Sequence, residues 1–128
     1  MISDQDLLVA ARQARQKAYA PYSNFNVGAA LRTRSGLVFS GCNVENASYG
    51  LTICAERVAV TKAISEGERD FEAIAIVSQG GVAPCGACRQ VLAEFNPQLR
   101  VLLADLEGNN RELGLSDLLP EAFLAGDL

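Results

Sequence analysis

The chain has 128 residues, 49% of them hydrophobic, with 11 basic and 15 acidic side chains and a net charge of -4. That composition belongs to a folded chain and excludes a disordered one. An acidic surface repels a phosphate backbone, so nucleic acid is excluded as the expected partner and a small substrate is favoured.

The elements read as follows in chain order. Ser3 caps a helix with Asp6 in its first turn, and Leu7, Ala11, Ala14 and Ala18 keep a helical spacing up to Ala20, where Pro21 stops it. Phe25 to Arg34 and Leu37 to Asn43 are two strands around a Ser35-Gly36 turn, a hairpin. Asn43 to Thr52 is a polar loop. A helix starts near Ile53-Cys54 and ends at about Glu66, with Gly67 as its stop. Ala73 to Val77 is a buried strand, and Gly80 to Pro84 a loop. A helix from Cys85 or Gly86 to Phe95 follows, then a strand from Arg100 to Ala104. Gly108-Asn109-Asn110 turns the chain into a short strand at Arg111 to Leu113, and Ser116 to Leu119 is a short helix before Pro120. This order predicts one α/β domain over residues 1–128, with helices covering a mixed sheet. The acidic start lacks the basic-then-apolar order of a signal peptide, and no apolar run approaches the ~18 residues of a membrane helix, so the cytoplasm is the expected location.

Four cysteines and no histidine set the chemistry. Without His there is no Ser-His-Asp triad, no Cys-His pair and no His-ligated zinc. Pro84-Cys85-Gly86-Ala87-Cys88 places two sulfurs one turn apart at a helix start, where N–H groups and the positive helix end favour thiolates. By itself this spacing also fits a redox motif or a structural zinc site. Cys54-Ala55-Glu56 adds a third thiol at another helix start, with a carboxylate two residues on. Three Cys ligands leave one tetrahedral zinc position for water, whose pKa the metal lowers. Glu56, free of the metal, can move that water's proton. Three thiolates leave the cluster negative, and Arg57 is the candidate to compensate, beside its other reading as a surface residue. Cys42 is either a fourth ligand that closes the site or a small core thiol. The core thiol is expected, because a closed site leaves Glu56 no water.

Cys54-Ala55-Glu56 with Pro84-Cys85-Gly86-Ala87-Cys88-Arg89-Gln90 resembles the zinc signature of the cytidine deaminases, in its small homotetrameric three-Cys branch. Ala20 to Ala30, Gly41 to Tyr49 and Leu118 to Phe123 resemble further segments of that family. The resemblance implies a three-layer α/β/α sandwich with a mixed five-stranded sheet, one zinc per subunit, and hydrolysis of cytidine and 2'-deoxycytidine to uridine and 2'-deoxyuridine. It implies that Asn43 and Glu45 bind the sugar hydroxyls, which on residues alone could equally form an Asx-type turn. It implies that Phe25 packs on the pyrimidine, where a lone Phe on a strand otherwise reads as core. Backbone contacts are implied near Ala55 and before Cys85, and Tyr49 and Phe123 are implied to approach a neighbouring subunit's site. Blasticidin-S deaminases share the signature and stand as the alternative, as does a zinc-stabilised binding module.

Overall fold

The computed structural model describes residues 1–128. Its elements are α1 (Asp4–Arg15), β1 (Val27–Thr33), β2 (Val38–Cys42), α2 (Ala55–Ser65), β3 (Phe71–Ser78), α3 (Gly86–Phe95), β4 (Arg100–Ala104), β5 (Asn110–Gly114) and α4 (Leu115–Leu118). The strands form one sheet in the order β2-β1-β3-β4-β5. β3 and β4 are parallel, and the other neighbours are antiparallel. No helix is long and apolar enough to cross a membrane.

Strand alternation sorts side chains between two helical layers. Ala30, Ala75, Val77 and Leu102 pack with Leu7 and Ala11 of α1. Ala29, Leu31, Ile74, Ile76 and Leu103 pack with Ala59 and Val60 of α2 and Leu92 of α3. The expected mixed five-stranded sandwich is therefore present. Two glycines let the helices press on the hairpin. A Cβ on Gly28 would overlap the Ala11 carbonyl of α1. A Cβ on Gly41 would come within 2.7 Å of the Ala55 carbonyl and the Ala59 amide of α2. Gly41 thus sets how closely the start of α2, which carries Cys54 to Glu56, sits on the sheet.

Ser3 caps α1 as expected, its Oγ accepting from the Asp6 amide at 3.1 Å. The helix ends at Arg15, earlier than the apolar spacing through Ala18 predicts. The reason is a competing pairing. The Tyr19 amide donates to the Asn43 carbonyl at 3.0 Å, and the Tyr19 carbonyl accepts from the Glu45 amide at 2.8 Å. A helix running to Ala20 would lose both bonds. The loop after Asn43 also holds more structure than expected: Val44 pairs with Ile53, and Tyr49–Leu51 makes one 3₁₀ turn.

The two ends of the sheet differ in character. Register places Val27 beside Ser78 at one end and Arg32 beside Ala73 at the other. The first end, past the carboxyl ends of β3 and β4, is where open α/β sheets hold ligands. The second carries Arg32, Glu72 and Arg100, tied to Asp4 and Glu112.

Candidate metal centre

Two helix starts build the sulfur cluster. Cys54 is the N-cap of α2, Cys85 is the N-cap of α3, and Cys88 lies in the first turn of α3. Neither cap cysteine spends its side chain on a cap hydrogen bond. The three Sγ atoms lie within 4.8 Å of one another, with Cys54 and Cys85 at 4.0 Å. Arg57, one turn along α2, donates from Nη2 to Cys54 Sγ at 3.6 Å. Its Nε is buried without a partner. Hydrogen bonding with Cys88, with help from Arg57, brings the Cys54 thiol down to about 5 against the effect of burial. The same bond and burial push Cys88 up.

These features fit a zinc ion. Sulfur is a preferred zinc donor, and three sulfurs leave one of the metal's usual four positions to a ligand from outside the protein. Three thiolates side by side repel one another unless a cation joins them, and Arg57 stands where it can offset the surplus charge. Cys54 and Cys85 reach the wall of a cavity of about 340 Å³, within the size range of small-molecule sites. Phe25, Asn43, Glu45, Ala55 and Glu56 line the same cavity. Glu56 is 5% exposed, and burial raises its pKa.

Opposite the sulfurs, two polar side chains are already heavily engaged. Asn43 Oδ1 accepts from the Val27 amide at 2.9 Å, and Asn43 Nδ2 donates to the Phe25 carbonyl at 2.8 Å. Glu45 Oε1 accepts from the Tyr22 and Ser23 amides at 3.0 and 3.2 Å, while Oε2 accepts from the Ser23 hydroxyl. Ser23, then the two amides, hold the Glu45 carboxyl below the usual range.

Nine of the eleven expected site residues meet at this end: Phe25, Asn43, Glu45, Cys54, Ala55, Glu56 and Cys85 on the cavity wall, with Cys88 and Arg57 against the Cys54 sulfur. Tyr49 and Phe123 stay outside the cavity, 61% and 59% exposed. Tyr49 meets Tyr22 edge-on at 6.0 Å, and the Phe123 carbonyl accepts from Gln90 Nε2 at 2.7 Å. Cys42 lies outside the three-sulfur group. It is half-buried beside a groove with Lys17 and Lys62, not in the core, because β2 is an edge strand. Two residues inside the family-like segments had no role assigned from the sequence. One is Ser23, masked among ordinary turn residues. The other is Arg89, which donates to the carbonyls of Pro84 and Leu118, both at 2.7 Å, and so braces the approach to Cys85. Its place directly after Cys88 was the available signal.

Residues 1–104 match the family described as the cytidine and deoxycytidylate deaminase zinc-binding region. The chain belongs to this family. A cytidine deaminase of Halalkalibacterium halodurans is 55% identical over 127 residues, covering 97% of this chain and 96% of the relative. The crystal structure of a cytidine deaminase from Burkholderia pseudomallei superposes with a TM-score of 0.92 at 55% identity, covering 95% of this chain and 100% of that one. A blasticidin-S deaminase of Bacillus cereus is 32% identical over 131 residues, covering 93% and 92%. Membership gives the cluster its meaning: the family region is zinc-binding, and Cys54, Cys85 and Cys88 form a site compatible with that ion.

Proposed function

We propose that the protein hydrolyses cytidine and 2'-deoxycytidine to uridine and 2'-deoxyuridine, releasing ammonia. The observation that carries this reading is Glu56, a buried carboxylate on the wall of a nucleoside-sized cavity, two residues from a sulfur of the zinc cluster. Zinc held by Cys54, Cys85 and Cys88 would supply the Lewis acidity that makes water a nucleophile near neutral pH. Glu56 takes a proton from the attacking water and delivers it to ring N3. The water oxygen bonds to C4, Glu56 carries the second proton to the amino group, and the C–N bond breaks to release ammonia. A carboxylate with a raised pKa is better matched to this shuttle than an exposed one. Arg57 offsets sulfur charge, and Phe25 and the backbone at Ala55 hold the base.

The sugar end supports a nucleoside. Glu45 has about four acceptor positions and spends three, and Asn43 Nδ2 has one N–H left. One acceptor and one donor suit a single hydroxyl, so ribose and deoxyribose can both serve. A phosphate here would meet the Glu45 carboxylate and be repelled. Tyr49 and Phe123, exposed in one chain, are assigned to the sites of neighbouring subunits in a homotetramer. The enzyme then works in cytoplasmic pyrimidine salvage.

The test is the ultraviolet change on cytidine conversion by purified protein, run beside blasticidin S. Cytidine should turn over, lose turnover on chelation, and regain it with zinc. Turnover of the antibiotic alone, or cytidine turnover indifferent to zinc removal, would overturn the proposal.

A further inference from the structure

The segment Tyr22 to Val27 and the segment Asn43 to Glu45 are tied by side chains rather than by a regular ladder. Asn24 adopts a left-handed backbone with φ of 56°. Asn tolerates that conformation, which closes the turn so that the Tyr22 and Ser23 amides both point at Glu45 Oε1. The Ser23 side chain does two further things. Its hydroxyl donates to Glu45 Oε2, and its oxygen accepts from the Phe25 amide at 3.0 Å. The Phe25 carbonyl is held independently by Asn43 Nδ2 at 2.8 Å. Ser23 is thus the only side chain that bonds both to the sugar-facing carboxylate and to the backbone of the base-facing Phe25.

We propose that Ser23 is a positioning residue that aims the free acceptor of Glu45 at the sugar hydroxyl, and so sets how strongly turnover depends on that hydroxyl. Two amides on Oε1 alone leave the carboxylate free to turn about that anchor. The Ser23 bond to Oε2 stops the rotation and leaves one acceptor direction for substrate. This inference rests on the nucleoside reading of the cavity. Phe25 keeps its carbonyl anchor without Ser23, so base binding is affected less than sugar binding.

The experiment measures kcat and KM for cytidine and for 2',3'-dideoxycytidine, with wild type, Ser23→Ala and Ser23→Thr. Ser23 is exposed, so its truncation leaves the core untouched. In Ser23→Ala, kcat/KM for cytidine should fall about tenfold, the scale of one hydrogen bond to a charged group. The fall should appear mainly in KM. The dideoxy substrate, with no hydroxyl for Glu45, should change less than about threefold on the same scale. Ser23→Thr keeps a hydroxyl and should recover most of the loss. Equal losses on both substrates, or no loss on cytidine, would overturn the positioning role. A wild type that does not turn over cytidine would instead overturn the nucleoside reading, a distinguishable failure.

Discussion

Two arginines at opposite ends of the sheet show how the same side chain serves different purposes. Arg32 is 4% exposed, and all three of its nitrogens are used. Nε and Nη2 donate to Glu72 Oε2 at 3.0 and 2.6 Å, Nη2 also to Asp4 at 3.0 Å, and Nη1 to the Ile2 carbonyl at 3.0 Å. Arg57 makes one long bond to a sulfur and keeps a buried Nε unpartnered. The Arg32 end has spent its polar capacity on the fold. The cavity end keeps capacity in reserve: an Arg57 N–H, an acceptor on Glu45, a buried Glu56. Unspent polar groups destabilise a fold unless something else uses them, so the difference separates the end that holds the protein together from the end that acts.

The largest effect on stability is expected at the Arg32 end. Replacing Arg32 with Met leaves Asp4 and Glu72 facing each other with only Arg100 to share. Asp4 and Glu72 are partly exposed and keep Arg100, so the loss should be about 2 kcal/mol, the scale of hydrogen bonds to charged groups, which urea unfolding reads directly. Yet kcat/KM for cytidine should stay within about twofold, since surplus folding stability does not enter transition-state binding. A large loss of turnover without unfolding would mean that the two ends are not separate.

A smaller effect is expected from pH. Arg100 holds the carboxyl of Asp4 below its usual range, and then Arg32 adds to this. Glu72 is lowered by Arg100 and Arg32 in spite of the burial that opposes them, and Glu112 by Arg100. Carboxyls depressed in the folded state contribute stability that is fully present above the unfolded value of about 4 and is lost as pH falls through the folded values. The Tm should therefore drop below about pH 4, as these carboxyls protonate. Partial exposure of Asp4 and Glu112 keeps the drop modest. A Tm rising on acidification through that range would contradict the network.

Legibility in the sequence followed locality. α3 and β4 were readable to within a residue because their signals are local: Pro84 and Cys85 at the start, Asn96-Pro97 at the end, an unbroken apolar run in the strand. The sulfur cluster was readable because both helix starts carry their own cysteines. The ion-pair end was not, since it joins residues up to 96 apart and depends on strand register. The register irregularity at Arg32/Thr33, opposite Glu72, has no local signature. α1 was overread for the same reason: Ala18 keeps the helical spacing, but Tyr19 bonds to Asn43 and Glu45, which no local pattern announces. Ser23 acts through Glu45, 22 residues away, and was invisible on its own.

In the proposed reaction Glu56 moves protons while the three sulfurs hold the metal. Replacing Glu56 with Ala, with zinc content and cytidine turnover measured on the same sample, separates the two roles. Bound zinc should stay near one per chain, while kcat falls by at least ~10²-fold, the lower range for removing a positioned acid–base group. Zinc lost together with activity would make Glu56 part of the metal site, and zinc retained with substantial turnover would remove it from the chemistry.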